Sequence, residues 1–447
     1  MKNNYFSFLF LFFSLGAIGQ IVTIPDVNFK TLLLASNVSN AIAKNSSGTN
    51  IKIDINNDNE IQVTEALNVA QLNVSTNSIA TNNISSMDGI QYFTNLTYLD
   101  CSSNSITDLN LTALINLQFL QANNGTLSSL NVTGLNNLIK LYCYNNTMSA
   151  LNLSGLTNLQ WLWCENNSIT SLDFNGLTAL KYAFCSNNQL SSIINTANLG
   201  IIEFLSANNN LNSLDLTGLT LLRYLDFSAN NISSVNLQST LTSLETLYCS
   251  GNPLTTINVN GLMGLRLLSV SNTLVTNIDC SQSGTSQLIA TDCPNLQTIN
   301  VRNGVFSFSD PDLLFFAFRI HNNPLLVSIC TDDGEQNQLA LTNYNTSGNV
   351  LVYNGSNCDI LVSVNMSVDD FNKAVVTIYP NPTSGIVNIE VSNNQVINKA
   401  SITNVLGQTI MTFENASTID ISSLTKGTYF ITVETLSGRK TQRIIKL

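Results

Sequence analysis

The chain has 447 residues, 44% of them hydrophobic, with a mean hydropathy of +0.16 and a net charge of −11, which excludes a disordered polypeptide and leaves room for domains of about 150 residues each. Only 17 basic side chains face 28 acidic ones, and they are scattered, so nucleic acid is excluded as a partner, because phosphate binding rests on clustered Lys and Arg. Charged residues make up only 10% of the chain; neutral Asn, Ser and Thr carry solubility, as on extracellular surfaces.

Residues 1–19 read as a secretory signal peptide: Lys2, an apolar run from Tyr5 to Leu15, then the small residues around Gly16, Ala17 and Gly19. That run is too short to span a bilayer, and no later stretch supplies the roughly 20 apolar residues of a membrane helix. An N-terminal cap is expected over residues 20–66. Within it Asp54 to Glu65 matches a twelve-residue EF-hand-type loop, offering Asp54, Asn56, Asp58, Glu60 and Glu65 as oxygen ligands for a structural Ca2+. Asn59 stands where that loop type has Gly and must adopt positive φ, which Asn tolerates. The alternative is an Asp- and Asn-rich turn into a helix, with no ion.

From Leu96 the template L-x-x-L-x-C-x-x-N-x-L-x-x-L-x-L-x-x-L starts again at Leu117, Leu138, Leu159, Leu180, Ile201, Leu222, Leu244 and Leu265, with seven spacings of 21 residues and one of 22. The fourth and sixth positions point inward; the ninth is an asparagine ladder, Asn104, Asn146, Asn167, Asn188, Asn209, Asn230 and Asn252, interrupted at Gly125 and Thr273. This pattern resembles the bacterial leucine-rich repeats over residues 67–330 and implies eleven or twelve turns, each with one short strand. In one turn Asn195 and Asn198 fall at apolar sites, and Leu199 is expected to shift inward.

Five of the nine cysteines, Cys101, Cys143, Cys164, Cys185 and Cys249, share the sixth position and are expected as small buried hydrophobes. Cys330 and Cys358 flank the end of the repeats, and a bridge between them would close it. Cys280 and Cys293 are left unassigned. The single histidine, His321, excludes a zinc cluster.

Positions three, five and seven of the template face outward on the concave sheet. They hold Tyr98, Phe119, Tyr142, Tyr144, Trp161, Trp163, Tyr182, Phe184, Tyr224 and Tyr248, including both tryptophans of the chain. Aromatics gathered on an outer face suit a protein or glycan contact; ordinary stacking between neighbouring turns is the competing explanation. Asp100, Glu165 and Asp226 share these columns but belong to non-adjacent turns, too far apart for a paired-carboxylate glycosidase.

After a C-terminal cap and linker over 331–365, the sequence turns to alternating strands. Tyr379-Pro380-Asn381-Pro382 with Gly385, then Leu406-Gly407-Gln408, then Asp420-Ile421-Ser422-Ser423-Leu424 with Gly427 and Tyr429, resemble the type A sorting domain of the type IX secretion system, over 366–447. The resemblance implies a small β-sandwich read by the secretion machinery, and a product secreted or anchored at the outer surface of a Gram-negative bacterium. The expected fold is an α/β-type leucine-rich-repeat solenoid with a parallel sheet on its concave face, followed by a small all-β sandwich. The expected role is a monomeric, non-enzymatic binder of a protein or glycan. The alternatives are a structural surface component and a carbohydrate-active enzyme.

Overall fold

The computed structural model describes residues 19–76, 83–237, 241–305, 318–332, 351–354, 361–362, 376–391, 396–404, 407–435 and 438–447. The expected signal peptide up to residue 18, Cys358 and most of the 331–365 segment lie outside them. Two compact units divide the chain, residues 1–323 and 324–447.

The first unit opens with a helix, Val27–Leu34, whose first turn is capped by Asp26 Oδ1 accepting from the Phe29 N–H at 2.8 Å; it buries Phe29 and Leu33. A second short helix, Val63–Ala66, carries a capping box in which Glu65 accepts from the Gln62 N–H at 3.0 Å. Satisfying these otherwise orphaned donors lets a short cap hold its shape. The strand Ala43–Lys44 then pairs antiparallel with Gln71–Asn73 and closes the edge of a long sheet.

That sheet has 13 strands, and every strand after the first pairing is parallel, from Gln71–Asn73 to Phe318–Arg319. Each turn contributes three residues in register, with the middle one buried: Leu99, Leu120, Leu141, Leu162, Ala183, Phe204 and Leu225 in succession. Small Ala183 is answered by Phe204, whose ring lies 6.1 Å from Phe174, so the volume lost in one turn is filled from its neighbours. Cys101, Cys143, Cys164, Cys185 and Cys249 are buried free thiols in this core, and so are Cys280 and Cys293. Among the described residues the repeats carry no α-helix on their far side. Tight turns and short parallel pairs, such as Asp108–Asn110 with Ser129–Asn131, take its place.

The asparagine ladder closes each bend. Asn188 Nδ2 donates to the Cys164, Cys185 and Ser186 carbonyls at 3.0, 3.2 and 3.3 Å, and its Oδ1 accepts from the Ile169 N–H at 3.0 Å. Asn323 repeats the arrangement with Ala290, Ile320 and the Cys293 N–H. Thr273 substitutes a hydroxyl that donates to the Val270 carbonyl at 2.8 Å. At Gly125 a Cβ would stand 2.9 Å from the Asn104 carbonyl oxygen, so no side chain fits there. In the next turn but two, Thr196 rather than Leu199 fills the gap between Asn195 and Asn198. Thr196 is fully buried and donates to the Asp215 carbonyl at 2.6 Å.

In the second unit Ser328–Thr331 pairs parallel with Leu351–Asn354. Cys330 is disulfide-bonded; its expected partner Cys358 is outside the described residues. Two antiparallel sheets follow, one of Val376–Tyr379, Ile386–Val391 and Thr418–Asp420, the other of Ile397–Thr403, Thr409–Glu414, Gly427–Thr435 and Gly438–Lys446. Ile378, Val387 and Ile389 from the first meet Ala400, Ile402, Ile431 and Ile444 from the second in one buried cluster, which makes a small sandwich.

Candidate binding face

Parallel register puts the outward residues of successive turns side by side. One column runs Tyr98, Phe119, Lys140, Trp161, Tyr182; the next runs Asp100, Gln121, Tyr142, Trp163, Phe184. Strands ~4.8 Å apart bring rings in a column into direct contact. Tyr98 stacks on Phe119 with centroids 5.2 Å apart, and Phe119 meets Tyr142 edge-on at 5.3 Å. Tyr142 meets Trp163 at 5.7 Å, and Trp163 meets Tyr144 at 4.4 Å and Phe184 at 5.8 Å. Trp161 stacks on Tyr182 at 3.7 Å and touches Phe184 at 6.4 Å.

Eight of the ten expected aromatics thus form one continuous network over five strands. Tyr224 and Tyr248 form a separate pair at 5.7 Å. All ten are half-buried, because each ring is covered in part by its neighbours. Mutual stacking of about 0.5–1.5 kcal/mol per pair offsets some of the cost of leaving them at the surface.

Polar groups are placed within this face. Lys140, which the aromatic pattern alone does not single out, holds its Nζ 5.4 Å from the Phe119 ring and 5.2 Å from the Trp161 ring, filling the one gap in its column with a cation–π bridge. Trp163 Nε1 donates to Glu165 Oε2 at 2.6 Å, and the Tyr98 hydroxyl donates to Gln121 Oε1 at 3.0 Å. Burial, with Asp100 nearby, raises the Tyr98 phenol above its ordinary pKa; burial, with Tyr248 and Asp226 beside it, pushes Tyr224 up to about 12. Both phenols stay neutral donors at physiological pH.

The three carboxylates of these columns are engaged in their own turns. Asp100 Oδ1 accepts from the Ser102 N–H and hydroxyl at 3.0 and 2.6 Å, and Asp226 Oδ1 accepts from the Ser228 N–H at 2.9 Å. Asp100, Glu165 and Asp226 stand three strands apart in turn, ~14 Å at the usual strand spacing, against the ~5–9.5 Å that paired-carboxylate glycoside chemistry needs.

In the acidic loop of the cap, Asn59 sits at φ 63°, the left-handed conformation expected at its sixth position. The oxygens are held internally. Glu65 Oε1 accepts from the Ile55 N–H at 2.8 Å, Asp54 Oδ1 accepts from the Asp58 N–H at 3.2 Å, Asn56 Nδ2 donates to Asp58 at 2.8 Å, and Glu60 pairs with Lys30 at 2.7 Å. Among the described residues no group of three or more His, Cys, Asp and Glu is arranged to hold a metal ion.

The motif residues of the sandwich tie its first turn to its last strand. Asn381 Nδ2 donates to the Arg443 carbonyl at 2.8 Å while its Oδ1 accepts from the Ile445 N–H at 2.9 Å. The Tyr429 hydroxyl reaches the Thr425 carbonyl at 3.0 Å, and Asp420 Oδ1 accepts from the Ser422 N–H at 2.8 Å.

Comparison with known proteins agrees with these motifs. The family described as "Secretion system C-terminal sorting domain" matches residues 377–447, and "Leucine Rich repeats (2 copies)" matches 220–261. No curated protein matches the chain. Similar solved structures include the functional domain of InlJ from Listeria monocytogenes, 20% identical over 96% of this chain and 98% of that one, with a TM-score of 0.49. The internalin InlF from the same species is 18% identical over 77% and 94%, TM-score 0.49. YopM from Yersinia pestis is 20% identical over 53% and 69%, TM-score 0.39. The fold defines the class, a leucine-rich-repeat solenoid. The chain is a leucine-rich-repeat protein ending in a type IX secretion sorting domain, secreted or attached at the outer cell surface. No helix among the described residues is long and apolar enough to cross a membrane.

Proposed function

We propose that the aromatic face of the repeats is a contact surface for a protein or a glycan, and that the exported chain acts as a binder and not as an enzyme. One observation supports this above others: eight half-buried rings form an unbroken network across five strands, with Lys140 and Glu165 set into it. Stacking alone accounts for pairs of rings; it gives no reason to gather both tryptophans and most outward aromatics on adjacent turns. Such clusters of Trp and Tyr carry interface energy. Because Trp161 and Trp163 are the only tryptophans, intrinsic fluorescence reports occupancy of the face directly. Panels of surface glycans and extracellular proteins are titrated against the full chain, and a true ligand shifts the emission and loses about tenfold in affinity with Phe184→Ala. Ligands whose binding leaves the emission and the Phe184→Ala affinity unchanged refute the assignment. A chain that binds neither panel is a structural surface component.

The same proposal extends to calcium as a structural ion in the Asp54–Glu65 loop, supported by the left-handed Asn59. Binding requires Glu65 to exchange its backbone N–H partners for the ion. Calcium then raises the melting temperature relative to EDTA, and Asp54→Asn removes the difference; equal melting temperatures for the parent chain overturn it.

A further inference from the structure

The chain holds five Asn-Gly pairs, Asn124-Gly125, Asn175-Gly176, Asn260-Gly261, Asn303-Gly304 and Asn354-Gly355; Gly355 lies outside the described residues. Such a pair is where a backbone can attack its own side chain. With no Cβ on the second residue, its nitrogen swings readily onto the amide carbon of the first. Whether it does so depends on what holds that nitrogen and that amide, and here the pairs differ.

In two of them the nitrogen is tied to the next turn. The Gly125 N–H donates to the Asn145 carbonyl at 3.1 Å, and the Asn124 amide oxygen accepts from Asn145 Nδ2 at 2.7 Å. The Gly261 N–H donates to the Gln282 carbonyl at 2.8 Å. In a third the amide is held at both ends: Asn303 donates to the Thr285 carbonyl at 2.7 Å and accepts from the Val305 N–H at 3.0 Å. Asn175-Gly176 has neither restraint. Among the described residues the Gly176 N–H and the Asn175 side-chain amide make no hydrogen bond. Both residues are exposed, and a Cβ on Gly176 would meet nothing within 4 Å. The neighbouring turn explains the missing tie. At the matching place two turns earlier, the Gly134 N–H donates to the Ser154 carbonyl, 20 residues on, at 3.2 Å. The residue 20 on from Gly176 is Thr196, in the turn that departs from the template, and its carbonyl takes the Leu199 N–H at 3.4 Å.

We propose that Asn175 is a site of spontaneous modification, deamidating through a cyclic imide while Asn124, Asn260 and Asn303 stay intact in the folded chain. The Gly176 nitrogen bonds to Asn175 Cγ, the Cγ–Nδ2 bond breaks, and the side-chain nitrogen leaves as ammonia with the Gly176 proton. Water then opens the ring at either carbonyl. One opening leaves aspartate; the other leaves isoaspartate, with the main chain rerouted through Cβ. Each event adds a negative charge beside Asp173, whose Oδ1 accepts from the Asn175 N–H at 2.8 Å. Isoaspartate also inserts a methylene into the chain between Phe174 and Leu177, both fully buried.

The full chain is incubated, folded, in mildly alkaline buffer made with heavy-oxygen water and followed by peptide mapping in a mass spectrometer, beside a sample in urea. In the folded chain Asn175 converts about tenfold faster than Asn124, Asn260 and Asn303, the factor that one hydrogen bond on the reacting groups is worth. Its product carries heavy oxygen and includes isoaspartate. In urea the four sites convert at similar rates, because the pairs share one chemistry and only the fold sets them apart. Asn175→Gln removes the first acidic species seen on isoelectric focusing of the aged chain. Equal rates at the four sites in the folded chain, a slower rate at Asn175, or aspartate without isoaspartate overturns the proposal. The same ranking of rates in urea overturns it too, since the fold is then not the cause.

Discussion

Replacing Asn188 by Ala tests how the turns are held. Asn188 is 9% exposed and satisfies four backbone groups, but they are not equally dependent on it. The Cys164 carbonyl keeps Asn167 Nδ2 at 3.1 Å, the Cys185 carbonyl keeps Asn209 Nδ2 at 3.1 Å, and the Ser186 carbonyl keeps the Asn166 N–H at 3.1 Å. Only the Ile169 N–H is stranded. A stranded buried donor costs about 1–3 kcal/mol, and the lost bonds about 1 more, so Asn188→Ala should cost about 3 kcal/mol. Asn188→Asp keeps an acceptor for Ile169 but turns its second oxygen toward three carbonyls, and should be worse at neutral pH. There the folded state raises the carboxyl pKa. Stability is therefore fully present below the unfolded value and lost as pH rises through the folded one, so acidification narrows the gap between the Asp and Ala variants. Urea unfolding followed by the emission of Trp161 and Trp163 measures both. A cost below about 0.5 kcal/mol for Ala, or an Asp variant as stable as the parent at pH 7, refutes the ladder's role.

Burial raises the thiol pKa of Cys143 and Cys280 to about 12 from 9.0. Their contribution to stability is full below pH 9 and lost toward pH 12, so alkaline unfolding should begin in that window and shift upward in Cys143→Ala. At pH 8 none of the seven free thiols among the described residues should react with an aromatic disulfide reagent until the chain is unfolded; fast native labelling of these positions contradicts their burial. Gly284→Ala drives a Cβ into the Met263 carbonyl and should destabilise the repeats by about 1–3 kcal/mol, while an unchanged urea midpoint means the backbone yields freely. Asn381→Ala removes both ties to the last strand and should leave precursor inside the cell envelope, visible on fractionation. Normal export and an unchanged melting temperature together disprove that link.

Much of this protein was legible in its sequence because a solenoid repeats one local solution. The period of 21 residues, the inward columns and the asparagine ladder each follow from contacts between a turn and its neighbours, so they recur in the text as they recur in space. The sorting motifs were legible for a different reason: Asn381 and Tyr429 satisfy specific backbone groups that few other residues could serve. The sequence alone also placed ten aromatics on one face. Tertiary structure decided their condition. Register across separate turns joins eight into a network, leaves Tyr224 and Tyr248 apart, and slides Lys140 between Phe119 and Trp161. The column before the ladder, where Asn124, Asn145, Asn166, Asn187 and Asn208 take positive φ, was equally hidden, since backbone handedness is set by the bend it closes. The filling of the Asn195 gap by Thr196 instead of Leu199 arises only because Thr196 and the Asp215 carbonyl, 19 residues apart, become neighbours across adjacent turns.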